Sequence, residues 1–235
     1  MNSAYLNDAY THTFTTTVER VEANQVFLAT TYFYPTGGGQ PCDLGTITHN
    51  NTIYTVIDVQ KNESTIIHTL DKQGLQPGDI VTCTIDWKRR YQLMKMHTAI
   101  HLLGAVFEHE AGTQTTGNQI GLEESRVDSN FPVFTKELIQ TYIDQANILL
   151  KKNLPVTTYF VETKKALEDP TLFKLAAGFK HTNLEHLRIV AIGDYDKQAD
   201  GGTHVNNTSE IGTIILKGTE SKGKERKRVY FSLAP

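Results

Sequence analysis

At 235 residues, with 39% hydrophobic and 21% charged side chains, the chain has the composition of a globular protein long enough for one large domain or two modest ones. Its net charge of -3 argues against a general nucleic-acid coat, because electrostatic affinity for phosphate needs concentrated positive charge. No apolar run approaches the roughly 20 residues that cross a bilayer, and the start "MNSAYLNDAYTHTF" lacks the basic head and apolar centre of a signal peptide, so a soluble, cytoplasmic protein is expected.

Up to about Trp87 the chain reads as strands. "YTHTFTTTVERV", "NQVFLATTYFYP", "NTIYTVIDV", "STIIHTL" and "DIVTCTIDW" are rich in Thr, Val, Ile and Tyr, and turn formers separate them. Five or so short strands predict a small β-barrel or sandwich. Cys42 and Cys83 could form at most one bridge and are read as reduced. From Lys88 the period changes: Leu93, Met96, Ile100, Leu103 and Phe107 recur three and four apart, which predicts an amphipathic helix stopped near Gly112. A second helix is expected from Lys136 to Lys152, capped by Thr135, with Leu138, Tyr142, Ala146 and Leu149 or Leu150 facing inward. The strand "PVTTYFVE", the short helix "KKALED" and the strands "LRIVAIGDYD", "IGTIILKG" and "RKRVYFSL" complete the pattern. The fold class is therefore α+β, a small N-terminal β-barrel over 1–88 followed by an α+β domain over 89–235, with the boundary near Asp86 to Arg90.

Two histidine-bearing segments carry chemistry. In "MHTAIH", His97 and His101 stand four apart on the long helix, so they project from one face and can share a metal ion. They are offset by about 100° from the apolar stripe, which puts them at the rim of the buried face. In "QADGGTHVNNTSEIG", Asp200 and His204 form a second pair in a loop whose two glycines are expected to bend it sharply toward the helix histidines. Three imidazoles and a carboxylate make a plausible zinc set, either four protein ligands or three plus water. A peptidase on the usual plan would need glutamate after the first histidine as general base, and Thr98 occupies that place.

"FYPTGGGQPCDLG", "HTAIHLL" and "GGTHVNNTSEIG", in that order and at these distances, resemble the medium-length freestanding alanyl-tRNA editing proteins and the editing domain of alanyl-tRNA synthetase. The resemblance covers nearly the whole chain. It implies hydrolysis of tRNA(Ala) wrongly charged with serine, and in some members glycine, with one zinc ion as cofactor. It also implies ligands at His97, His101 and His204, while Asp200 stands where the family pattern has cysteine. A carboxylate is a legitimate but harder zinc ligand than a thiolate, so three histidines plus water stays open as an alternative.

An aminoacyl ester needs a positioned water and stabilisation of the developing oxyanion, and zinc could serve either the water or the ester. Serine differs from the cognate alanine by one hydroxyl, so a site that hydrogen-bonds that hydroxyl discriminates. Thr115 and Thr116 in "GTQTTGNQIG" are the candidates, Thr116 preferred, against their reading as plain loop threonines. Gln40 in the loop Gly37, Gly38, Gly39 is either part of a tight turn or, as the resemblance implies, a group presented to the acceptor end of tRNA. Tyr32, Phe33 and Tyr34 beside it are core or a stacking surface. Between Lys217 and Arg228 six basic residues stand against Glu220 and Glu225, a local net of +4 that leaves the rest near -7. Lys222, Lys224, Arg226, Lys227 and Arg228 are thus candidate tRNA contacts, or the solvated tip of a hairpin. A monomer is favoured over an oligomer. The alternatives are a tRNA-binding module without catalysis and an editor of another mischarged tRNA such as Ser-tRNA(Thr).

Overall fold

The computed structural model describes residues 2–174, 184–223 and 225–235. The chain divides into two compact units, Met1–Gln92 and Leu93–Pro235. The first holds β1 (Asn2–Ser3), β2 (Thr13–Glu22), β3 (Gln25–Leu28), β4 (Thr30–Thr31), β5 (Gly45–His49), β6 (Thr52–Asn62), β7 (Thr65–Leu70) and β8 (Ile80–Ile85). Six of them close an antiparallel barrel in the order β2-β3-β7-β6-β5-β8, while β1 and β4 form a short parallel pair. Alternation explains closure. In β8 every second residue is buried, and Val81, Cys83 and Ile85 join Val18, Leu28, Phe33, Ile47, Val56, Val59 and Ile66 in one core.

Strand β5 escapes sequence reading because it brings only one fully buried side chain, Ile47, and starts on a glycine. That glycine is needed: a Cβ on Gly45 would lie 2.2 Å from the Thr84 carbonyl oxygen across the ladder. Cys42 and Cys83 are both free thiols, and burial pushes Cys83 up to about 12.

Two buried polar devices fix the barrel. Arg90 is fully buried and pairs with the equally buried Asp43, and it also donates to the carbonyls of Ala9 and Tyr32. His68 Nδ1 faces the Val26 carbonyl at 3.1 Å and so must donate to it; Nε2 then accepts from Thr31 Oγ1 at 2.9 Å. Burial pushes this ring down from 6.5 to about 4, so His68 is neutral in the folded protein and charged in the unfolded chain between those values. Its contribution is complete above pH 6.5 and is lost as the pH falls toward 4, by about 3 kcal/mol at most. Urea titrations of the full chain and of His68→Leu should therefore show a stability difference that shrinks over this range; a constant difference refutes the assignment.

The second unit is built around α1 (Trp87–Ala111), which begins in the first unit and runs on through Leu93. It also contains β9 (Thr115–Gln119), β10 (Ser125–Ser129), α2 (Lys136–Leu150), β11 (Val156–Glu162), α3 (Thr163–Leu167), β12 (His186–Ile192), β13 (Asp196–Ala199), β14 (Thr213–Ser221) and β15 (Lys227–Ala234). One antiparallel sheet has the order β14-β15-β10-β9 and another the order β11-β12-β13. Thr135 caps α2 by accepting from the Leu138 backbone N–H at 3.2 Å, as its position predicts. The inward face of α2 includes Ile139 and Ile143, with Leu138 only half-buried. Asn147 joins α2 to β14 by bonding both backbone groups of Ile214. Among the described residues no helix is long and apolar enough to cross a membrane.

The segment read as a loop after α1 is strand β9, paired with β10. Its sequence "TTGNQ" has no apolar residue to announce a strand; pairing partners, absent from the local sequence, make it one.

Candidate metal centre

From Leu93 to Phe107 helix α1 is buried on nearly all sides: Met94, Ala99, Leu102 and Val106 are as inaccessible as the expected stripe. The amphipathic reading thus gives way to a central helix, because elements of this unit cover both faces. His97 and His101 are accordingly interior, 2% and 5% exposed, rather than at a rim.

Asp200 and His204 arrive on the loop that leaves β13. Arg188, on β12, anchors that loop by donating to the carbonyls of Asp200 (3.2 Å) and Gly202 (3.0 Å). The two glycines do not work as expected. Neither has a positive φ, and Gly201 has open space where a Cβ would be. A Cβ on Gly202, however, would lie 2.1 Å from His97 Cε1 and 2.4 Å from its Nδ1. Glycine is required there for close approach of loop to imidazole, not for a bend.

The four side chains converge, with one ligand atom from each lying within 4.8 Å of all the others. Asp200 Oδ1 stands 3.6 Å from His97 Nε2 and 3.8 Å from His101 Nε2, and Oδ2 stands 3.0 Å from His204 Nε2. Tetrahedral bonds of about 2.0–2.1 Å to a common ion require donor separations near 3.4 Å, which these distances bracket. The ring centroids are 4.3 to 4.9 Å apart.

Thr98 decides the protonation of His204. Its hydroxyl lies 2.9 Å from the Met94 carbonyl, which can only accept, so the single hydroxyl proton is spent there. Thr98 Oγ1 must then accept from His204 Nδ1–H at 3.1 Å and from the Val205 N–H at 3.2 Å. That leaves the Nε2 lone pair of His204 facing a carboxylate oxygen, two acceptors in contact, an arrangement that a cation between them makes favourable. Burial pushes His97 down to about 3, places His101 well below the usual imidazole range and lowers His204, so all three offer neutral nitrogens. Burial alone would raise Asp200, but the surrounding imidazoles of His97, His204 and His101 outweigh it and hold the carboxyl well below its ordinary value. The donor set therefore fits a divalent, imidazole-preferring ion such as zinc. Asp200 keeps 19% of its side chain exposed, the open side of the cluster.

Thr98→Val keeps the shape of the side chain and removes the acceptor that orients His204. A 10- to 100-fold loss of zinc affinity is expected, the usual effect of losing such a partner. Competition with a chromophoric chelator measures it; unchanged affinity would show that His204 needs no such support. Sequence reasoning missed Thr98 and Arg188 as positioning groups. Their signals were a hydroxyl between two spaced histidines and a lone cation inside the apolar run "LRIVAI".

The remaining candidates are not among the four converging residues. Gly37 and Gln40 exchange backbone hydrogen bonds of 3.0 and 2.8 Å around Gly38 (φ 58°) and Gly39 (φ 86°), the pattern of a tight type I′ turn. Gln40 is fully buried, so its side chain is not displayed on the loop surface. Phe33 and Tyr34 are core, and Tyr34 ties its hydroxyl to the Gly37 carbonyl at 2.9 Å. At the basic tip, Arg228 is engaged by the buried Asp128 through two bonds of 2.8 and 3.0 Å, which takes it out of the free surface charge. Lys222 pairs with Glu220, and Lys227 donates to Ser221 Oγ at 2.7 Å. Arg226 is exposed, and Lys224 lies outside the described residues. Thr116 is on β9, and its buried hydroxyl has no hydrogen-bond partner among the described residues. A cavity of about 570 Å³ lined by Glu108, His109, Tyr159, Lys174, Tyr195 and Asp196 contains none of the four converging side chains. In it the Lys174 amine is paired with the Glu108 and Asp196 carboxylates, at 2.6 and 3.4 Å.

Comparison with known proteins supplies the context. A family model described as "tRNA synthetases class II (A)" matches residues 3–89, and one described as "Threonyl and Alanyl tRNA synthetase second additional domain" matches residues 187–230. The alanyl-tRNA editing protein AlaX-M of Methanosarcina barkeri is 41% identical over 237 residues, covering 97% of both chains. The protein of the same name from Saccharolobus solfataricus is 40% identical over 234 residues, 98% of each. The alanine–tRNA ligase of Pyrobaculum calidifontis is 33% identical over 239 residues, which span 98% of this chain and 26% of the ligase. Identity at this level over almost the entire length of two such relatives means that the chain belongs to the AlaX-M family of alanyl-tRNA editing proteins.

Proposed function

We propose that this protein is a trans-editing hydrolase that deacylates mischarged tRNA(Ala), chiefly Ser-tRNA(Ala) and secondarily Gly-tRNA(Ala), at a site holding one zinc ion. The observation that carries this reading is the convergence of His97, His101, Asp200 and His204 from segments about a hundred positions apart. The names of the full-length relatives supply the substrate class. Zinc bound there would act as a Lewis acid toward the ester carbonyl or toward a water.

The chain's own residues do the rest. His97 and His101 are held rigid by the packed helix, Gly202 lets the loop close onto His97, and Thr98 keeps the Nε2 lone pair of His204 directed inward. The open side at Asp200 is where the ester is proposed to enter. The buried hydroxyl of Thr116 is proposed to bond the seryl side chain; with alanine it would stay unpaired, which penalises the cognate ester. Lys222, Lys224, Arg226 and Lys227 are proposed to meet tRNA phosphates, and the turn at Gly37, Gly38 and Gly39 to approach the acceptor end. In that scheme Arg228 supports the tip through Asp128 instead of touching phosphate.

Release of labelled amino acid from Ser-tRNA(Ala), Ala-tRNA(Ala) and Ser-tRNA(Thr), each with and without chelator, tests the proposal. Fast, chelator-sensitive release from Ser-tRNA(Ala) alone is expected. Retention of tRNA without release would make the protein a binding module, and preferential release from tRNA(Thr) would make it a different editor.

A further inference from the structure

The sheet β11-β12-β13 has two unlike faces. On one, Val161, Leu187, Ile189 and Ala199 gather in a small core. The other leads to the converging side chains. Residues directly opposed across an antiparallel ladder send their side chains to the same face. Phe160 opposes Arg188, and the Asp200 N–H donates to the Arg188 carbonyl at 3.0 Å, so the ladder runs on past the end of β13. Phe160, Arg188 and Asp200 therefore form one row across the sheet. At about 4.8 Å per strand, the backbone positions at its two ends stand about 10 Å apart. Arg188 occupies the middle, with its guanidinium on the carbonyls of Asp200 and Gly202. Phe160 occupies the outer end, on the edge strand of this sheet. It is 48% exposed, the most exposed aromatic residue among those described. A single apolar side chain at the surface is ordinary; this one is set apart by standing at the end of the row that holds Asp200.

We infer that Phe160 is a stacking platform for the terminal adenine of the aminoacylated tRNA, holding the base while its ester lies at the open side of Asp200. This rests on the editing reading above. The ester is carried by the ribose of that same adenosine, so the base lies within one nucleoside's reach of the reacting carbonyl, as the row requires. A phenyl ring presents a π-face with no hydrogen-bonding group, which suits a base that every tRNA shares and that has only to be held, not read. Tyr159, 44% exposed, is no substitute, because strand alternation turns it to the opposite face with Ile189.

The test is a cycle between residue 160 and the base. Binding to the full chain is measured by calorimetry for two non-hydrolysable ligands, the 3′-seryl amide of 3′-amino-3′-deoxyadenosine and the same amide on an aminoribose without a base. Wild type is expected to bind the adenosine compound more tightly, and Phe160→Ala to lose about 5- to 150-fold of that affinity, the worth of one stacked base. The base-free amide should bind both proteins alike. Phe160→Trp should keep the adenosine affinity, and Phe160→Leu, which keeps apolar bulk without a π-face, should lose it. Adenosine affinity untouched by Phe160→Ala overturns the inference. Equal weakening of both ligands overturns it too, by marking the ring as structural, and so does wild-type affinity in Phe160→Leu. If Phe160→Ala does not fold, Phe160→Leu decides alone on the same two ligands. Sedimentation that finds a wild-type dimer and a Phe160→Ala monomer would give the ring to a second copy of the chain and refute the assignment. Deacylation of Ser-tRNA(Ala) by wild type, with binding indifferent to residue 160, defeats only the platform. Wild type that neither binds the adenosine amide nor deacylates Ser-tRNA(Ala) defeats the editing reading and this inference with it.

Discussion

Replacing His97 and His204 together by alanine is expected to abolish serine release, by at least about 10³-fold, while the barrel stays folded. One histidine comes from the middle of α1 and the other from the loop after β13, and their rings stand 4.3 Å apart. Removing both leaves His101 and Asp200, too few donors to hold a zinc ion in a site that normally has three or four protein ligands. Groups that act as a unit lose nearly everything when any member goes, so the double change should be little worse than either single one. The barrel core shares no residue with the cluster. Far-ultraviolet circular dichroism should therefore remain that of a folded protein, but added zinc should no longer raise the melting temperature. Wild type at 1,000 times the dissociation constant would gain about 4 kcal/mol from the metal. Serine release at the wild-type rate by the double variant would remove zinc from the account.

Gly202→Ala carries the second large effect, and Gly201→Ala is its built-in control. At 202 the new methyl would sit 2.1 Å from His97 Cε1 and 3.0 Å from Asp200 Oδ2, so either the imidazole or the loop must move. The imidazole is 2% exposed inside a packed helix and has little room to yield. Overpacking of this kind costs about 1–3 kcal/mol, and displacing a ligand nitrogen should weaken zinc binding about 100-fold. At 201 a Cβ meets nothing within 4 Å and the backbone has ordinary φ, so the change should be neutral to within about 0.5 kcal/mol. Thermal melts and chelator competition on the two variants measure both quantities. Equal behaviour of the pair would show that close approach at Gly202 has no part in building the site.

What the sequence made legible follows from what local sequence encodes. The barrel strands with β-branched alternation, the capped α2 and the histidine spacing on α1 are properties of neighbouring residues, and they stand in the structure as read. Strands β5 and β9 were illegible because their pairing partners, β8 and β10, make them strands, and neither brings an apolar alternation of its own. The burial of His97 and His101 was misjudged for a related reason: a helix covered on both faces still shows its best stripe to a periodicity count. The purpose of Gly202 was out of reach, since a contact between positions 97 and 202 exists only after folding. Thr98 was noticed only as the residue that is not glutamate, yet its hydroxyl holds His204 from across the fold.

Elemental analysis of the purified chain, paired with deacylation before and after chelation, tests most directly whether the four converging side chains are a zinc site. One zinc per chain is expected, removed together with serine release by a strong chelator and restored with it by stoichiometric zinc. A metal-free chain that releases serine from Ser-tRNA(Ala) at full rate would contradict the account.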